Sequence, residues 1–208
     1  MSASDSGFIS DPAELDALYG SPGAPSLRKE VGFLTSGYRA LIEASPFLVL
    51  ATSGPEGLDC SPRGDAPGFV RVADERTLLI PDRRGNNRID SLRNIVRDPR
   101  VALLFLIPGM DETLRVNGRA GVTADPALRE SFAVDGKAPR TVAVVTIESV
   151  FFQCARALLR SGLWNPDSRI DRATLPSTGA LLAEASNGQE GGEEYSRSLA
   201  ERLLKSLY

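Results

Sequence analysis

The feature that most constrains this chain is a succession of short apolar and β-branched runs joined by tight polar turns. Phe47–Thr52 reads as a buried strand, Gly54–Gly57 as a turn and Leu58–Arg63 as the returning strand of a hairpin. Phe69–Val72 and Thr77–Pro81 are joined by the polar turn 73–76. Val101–Ile107 is strongly apolar and is turned by Pro108-Gly109. Residues 112–123 alternate Leu114, Val116, Gly118, Ala120 and Val122 with mostly polar neighbours, the period of a half-buried strand. Thr141–Phe152 is the longest run. Links this short favour antiparallel pairing. The expected fold is therefore mainly β with flanking helices (α+β), an antiparallel barrel of six to seven strands, closed or partly open. No G-x-G-x-x-G or P-loop pattern follows a strand, so neither nucleotide-binding α/β fold is supported.

Helices are expected at the ends and in two connections. Asp11 caps a short helix to Tyr19, with Pro12 at its first position. Val31, Leu34, Tyr38, Leu41 and Ile42 are spaced for one face of a helix over Ser26–Ala44, weakened by Gly32 and Gly37 and ended by Pro46. Asp125-Pro126 starts a helix to about Val134, and 155–159 reads as a helical turn. Ser186–Gly192 reads as a flexible linker. Beyond it, Tyr195, Leu199, Leu203 and Leu207 form the apolar face of a terminal helix that packs on the domain or on a second subunit. One domain is expected overall: N-terminal helices packing on the barrel (1–45), the barrel itself (46–165), and a C-terminal segment with its amphipathic helix (166–208).

Composition narrows the chemistry. At 208 residues, 42% hydrophobic and 25% charged, the chain can bury one sizeable core. A net charge of −3 gives no bulk attraction to nucleic acid or to an anionic membrane, so neither is an expected partner. No apolar run approaches the roughly 20 residues of a membrane span. Residues 1–12 lack the basic start and apolar core of a signal peptide, which places the expected location in the cytoplasm. The chain has no histidine, which disfavours triad hydrolases and removes the usual ligand for zinc, non-haem iron and haem. No metal site is expected. Cys60 and Cys154 fit a reducing compartment and read as small buried hydrophobes rather than redox groups. Demanding chemistry would have to come from an organic cofactor.

The junction Asp82-Arg83-Arg84-Gly85-Asn86-Asn87-Arg88-Ile89-Asp90-Ser91-Leu92 lies between a strand and a helix running from Ile89 to Val96. A helix N-terminus exposes unpaired N–H groups and partial positive charge, and arginine binds phosphate oxygens with a planar fork. Two readings stand: a phosphate site, or a helix cap with solvated arginines. Arg63 at the end of the second strand and Arg88 at the helix start can converge on one anion. Ser91, one turn inside, could add a hydroxyl, and Asn86 or Asn87 could cap the helix. Thr113 could point its hydroxyl at a bound ring or be an ordinary strand residue. Trp164, preceded by Arg160, stacks on a ligand or partner, or anchors a loop. No side chain stands out as an acid or base, so the catalytic residues are unknown.

The segments SPRG, IPDRRGNNRIDSLRN, DPRVALLF, DETLRVNGRA and CARALLRSGLW together resemble the pyridoxamine 5′-phosphate oxidase-like flavoproteins, over roughly residues 40–165. The resemblance implies a split β-barrel homodimer with FMN at the subunit interface. It implies that Arg63 and Arg88 hold the phosphate with Asn87 and Ser91 beside them, and that Ile80, Pro81 and Asp82 line the isoalloxazine. It sets Thr113 near the flavin, and Arg160 and Trp164 in a segment that closes the site from the partner. The family oxidase has a compact Ser-Arg-Lys at the helix start, whereas this chain has a longer Asn-Asn-Arg segment and no clear Arg-and-Trp pattern for pyridoxal phosphate. The implied function is accordingly an FMN-dependent oxidoreductase acting on a small molecule, with a nicotinamide as possible donor, rather than vitamin B6 oxidation. The alternatives are a deazaflavin-dependent reductase and a non-catalytic flavin carrier or redox sensor.

Overall fold

A computed structural model describes residues 7–208. Residues 1–6, which begin the expected N-terminal segment, lie outside the described residues. The frame is a single antiparallel sheet of seven strands: β1 (Phe47–Gly54), β2 (Gly57–Gly64), β3 (Arg71–Val72), β4 (Thr77–Pro81), β5 (Arg100–Leu106), β6 (Thr113–Thr123) and β7 (Val142–Gln153). Their order is β2-β1-β5-β6-β7-β4-β3. The sheet coils around its core without closing, and β2 and β3 are its two edges: a split barrel.

Alternation along the strands builds the core. Leu48 and Leu50 of β1, Val101, Leu103 and Phe105 of β5, and Leu114 and Val116 of β6 all point inward and are buried. Each such side chain contributes about 1.5–3 kcal/mol by leaving water. Val142, Val145 and Val150 complete the core from β7. The β6–β7 register slips at Asn117/Gly118, where a bulge bends the pair. A Cβ on Gly118 would lie 2.1 Å from the Thr146 carbonyl oxygen, so the strands meet there only because the residue is glycine.

Eight α-helices decorate the described sheet. α1 (Pro12–Tyr19) is capped by Asp11 as expected but, like α2 (Ala24–Arg28), buries no residue. The single helix expected over Ser26–Ala44 is broken. Val31 instead exchanges both backbone hydrogen bonds with Val150, adding a bridge to β7, and α3 (Ser36–Ala44) restarts on the Thr35 hydroxyl. The apolar spacing that suggested one helix serves two elements that face the same core: Leu34 and Ile42 are both buried. Ser45 then ties the chain down, its hydroxyl donating to the carbonyls of Phe47 and Leu106.

α4 (Asp90–Arg97) connects β4 to β5 and packs on β1, burying Ser91, Asn94 and Ile95. Asn94 sits against Gly54, where a Cβ would lie 2.2 Å from its side-chain oxygen, and it donates to the Thr52 hydroxyl at 3.2 Å. α5 (Pro126–Ser131) is capped by Asp125, and α6 (Arg156–Ser161) follows β7. The chain ends in an antiparallel pair, α7 (Thr178–Ala185) and α8 (Gly192–Lys205). Here the expected flexible linker is an ordered turn: the Ser186 hydroxyl accepts from the Glu190 N–H, and Gly179 meets Gly192 and Ser196 with no room for a side chain. Among the described residues no helix is long and apolar enough to cross a membrane. Cys60 and Cys154 are free and exposed, against the expectation of burial, because each occupies the outward position of its strand or strand end.

Candidate anion and cofactor site

The strand-to-helix junction singled out in the sequence forms one wall of an open cavity of about 1000 Å³. β2 supplies Asp59, Ser61 and Arg63, the end of β4 supplies Pro81 and Asp82, and the start of α4 supplies Ser91. A fourth segment, Lys137–Arg140, enters from the connection before β7.

The helix start has an unusual form. Its N-cap is Ile89 in the left-handed conformation (φ 47°), and no side chain accepts from the first turn of α4. Asn87 is also left-handed (φ 62°). Neither asparagine caps the helix as expected: the Asn86 side-chain oxygen accepts from the Arg88 N–H, and that of Asn87 accepts from Arg140. A branched residue and an asparagine held at positive φ cost conformational energy that the surroundings must support. They turn the chain so that the N–H groups opening α4 have no side-chain cap among the described residues, the arrangement that suits an anion.

Arg63 reaches across from β2 and donates to the Ser91 hydroxyl at 3.1 Å. Ser91 in turn donates to Asp59 at 2.5 Å, and Asp59 also accepts from Ser61. Arg88 is exposed and pairs with Asp90 at 2.8 Å. Six cations line the cavity, Arg63, Arg83, Arg84, Arg88, Lys137 and Arg140, against the three carboxylates Asp59, Asp82 and Asp90. The excess is positive, as an anion requires. The Asp82 carboxyl is pushed above its ordinary range by burial, which the nearby charges of Arg63 and Arg140 only partly offset.

The structure thus brings together Arg63, Pro81, Asp82, Asn87, Arg88 and Ser91. Ile80 lies next to them in β4 but points into the core, 3% exposed. Thr113, Arg160 and Trp164 do not line this cavity. Thr113 is buried at the start of β6, opposite Gln153. Arg160 is exposed on α6, and Trp164 donates its indole N–H to the Met110 carbonyl, so within one chain it anchors a loop. Sequence reading missed Asp59, Lys137 and Arg140. Asp59 gave no local signal beyond its alternation with Ser61 and Arg63, and Arg140 lies some fifty residues beyond the junction it joins.

Comparison with known proteins places the chain. Residues 34–154 match the family model of pyridoxamine 5′-phosphate oxidase, and the chain belongs to that family. No curated protein matches it. Among solved structures it is similar to HupZ of Group A Streptococcus (18% identity, covering 57% of this chain and 93% of that one, TM-score 0.47). It is also similar to an F420 reductase (21%, 58% and 98%, TM-score 0.42) and to an FMN-binding protein of Syntrophomonas wolfei (13%, 56% and 83%, TM-score 0.43).

Proposed function

We propose that the chain is a cytoplasmic, homodimeric, FMN-dependent oxidoreductase acting on a small organic molecule, with a nicotinamide as candidate electron donor. The observation that carries the reading is the pairing of an uncapped helix start with Arg63 in one positively charged cavity, in a chain of the pyridoxamine 5′-phosphate oxidase family. FMN fits that chemistry: its phosphate is an anion for Arg63, Arg88 and the opening N–H groups of α4. When bound, FMN supplies the exchange of a hydride or electron pair that no side chain here can supply.

The chain's own part is to bind, orient and exclude water. Arg63 is already aimed by Ser91 and Asp59, so little side-chain freedom is lost when an anion arrives. Pro81 and Asp82 shape the cavity wall on which the ring would rest. Thr113, Arg160 and Trp164 lie outside this cavity, and in a dimer Arg160 and Trp164 would close the site from the second subunit. The free thiols of Cys60 and Cys154 suit a reducing compartment.

The test is FMN titration of the apoprotein, followed by flavin fluorescence. The Arg63→Ala/Arg88→Ala double variant should lose FMN retention while keeping its fold. A double variant that keeps a full complement of FMN would overturn the phosphate assignment.

A further inference from the structure

A second cavity, of about 620 Å³, lies beneath the C-terminal helix and shares a wall with the first. The shared residues are Gly64, the loop Arg83–Asn86 and Tyr208. Its character differs. One side is the face of α8 that carries Tyr195, Leu199 and Leu203, continued past the helix end by Leu207, the same apolar stripe that was legible in the sequence. That face is not consumed by packing: α8 buries no residue, and Leu203 and Leu207 remain 55% and 56% exposed.

The opposite side carries Arg83, Arg84 and Asp65. Arg83 is spent on Asp65, which it meets at 2.6 Å, and on the Phe132 carbonyl. Asp65 also accepts from the Tyr208 hydroxyl at 2.6 Å. Burial pushes the Asp65 carboxyl up, but Tyr208, the Ala66 N–H and Arg83 outweigh it and hold it ionised below the usual range. This clasp fixes the end of the chain as the partition between the cavities. Arg84 lines the space from this side and Arg202 from α8 itself, and neither has a carboxylate partner among the described residues. Arg202 lies over the Tyr195 ring at 4.3 Å and donates to that residue's carbonyl. An apolar wall with one guanidinium beside it on α8 and another, Arg84, on the loop across from it is complementary to a molecule with an apolar body and an anionic head.

We propose that this cavity is a binding site for an amphiphilic anion, an aliphatic or aromatic carboxylic or sulfonic acid of small-molecule size. Its role as the substrate's site rests on the flavin reading, because it adjoins the cofactor cavity. Binding itself does not.

The experiment is calorimetric titration of the full chain, incubated beforehand with excess FMN, with decanoate, with displacement of 8-anilinonaphthalene-1-sulfonate fluorescence as a second readout. One saturable site per chain is expected. Leu203→Glu and Arg202→Ala should each weaken it by about tenfold or more, the loss of a charge-assisted or apolar contact. Leu204→Glu, at an exposed position outside the cavity lining, should leave it unchanged. Circular dichroism checks that each variant is folded. Absence of saturable binding, or affinity equal to the parent's in folded Leu203→Glu and Arg202→Ala, overturns the proposal. FMN content is read separately by absorbance, so a chain that binds decanoate without FMN sinks the flavin reading alone, and one that holds FMN without decanoate sinks this one alone.

Discussion

Arg63 and Ser91, 28 residues apart in sequence, meet at 3.1 Å and join the edge strand β2 to the first turn of α4. The Ser91 hydroxyl spends its one proton on Asp59 and accepts from Arg63. With its proton committed, it is placed to aim the guanidinium. Replacing Ser91 with Ala removes that aim and keeps the buried volume nearly constant. The expected result is FMN affinity lower by about tenfold, one hydrogen bond's worth, with little change in melting temperature. Parallel FMN titration and thermal unfolding of Ser91→Ala check it.

Asp82 gives a pH signature. Its carboxyl is pushed up by burial, so the folded chain holds this proton more tightly than the unfolded chain does. The site therefore costs no stability below the ordinary carboxylate range and destabilises increasingly as pH rises through and above it. Asp82→Asn should melt at the same temperature as the parent at acid pH and at a higher one at neutral pH. Thermal scans at pH 4 and pH 7 measure the difference, and an unchanged gap between the two would contradict it.

Asp65 behaves with the opposite sign. Its lowered carboxyl contributes stability that is present above the ordinary carboxylate range and is lost on acidification. Tyr208→Phe removes one hydrogen bond to that carboxylate and should reduce the loss of stability on acidification. Tyr208 is itself held above the ordinary tyrosine range by its bond to Asp65, which a spectrophotometric titration of the phenol can follow.

The bulge at Gly118 predicts a severe substitution. Gly118→Ala forces a methyl group against the Thr146 backbone, which cannot swing aside. A destabilisation of about 1–3 kcal/mol or more is expected, the range for overpacked cores. Denaturant unfolding of Gly118→Ala against Gly121→Ala, where nothing obstructs a Cβ, isolates the effect from glycine's backbone entropy.

Much of this architecture was legible before any coordinates. Every strand expected from periodicity is present, because alternation along β1, β5 and β6 is the same quantity that buries Leu48, Leu103 and Val116. Only the Phe69–Val72 run shrinks, to Arg71–Val72, since Phe69 and Val70 are buried outside the ladder. What periodicity could not resolve is partner choice. Val31 keeps a helical spacing yet bonds to Val150, 119 positions away. The junction before α4 was recognisable from its glycine, asparagines and arginines, but the positive φ at Ile89 was not, since a β-branched residue there runs against local preference. α7 escaped notice because its face is small and little of it is buried. Asp59 and Arg140 entered the site through tertiary contact alone.

The central claim is that the Arg63 cavity holds FMN, and the most direct measurement is the absorbance spectrum of the freshly purified chain, followed by heat release and mass identification of the chromophore. Flavin bands with close to one FMN released per chain are the predicted result. A deazaflavin mass would keep the site and change its occupant. A colourless chain that also fails to take up added FMN would contradict the account.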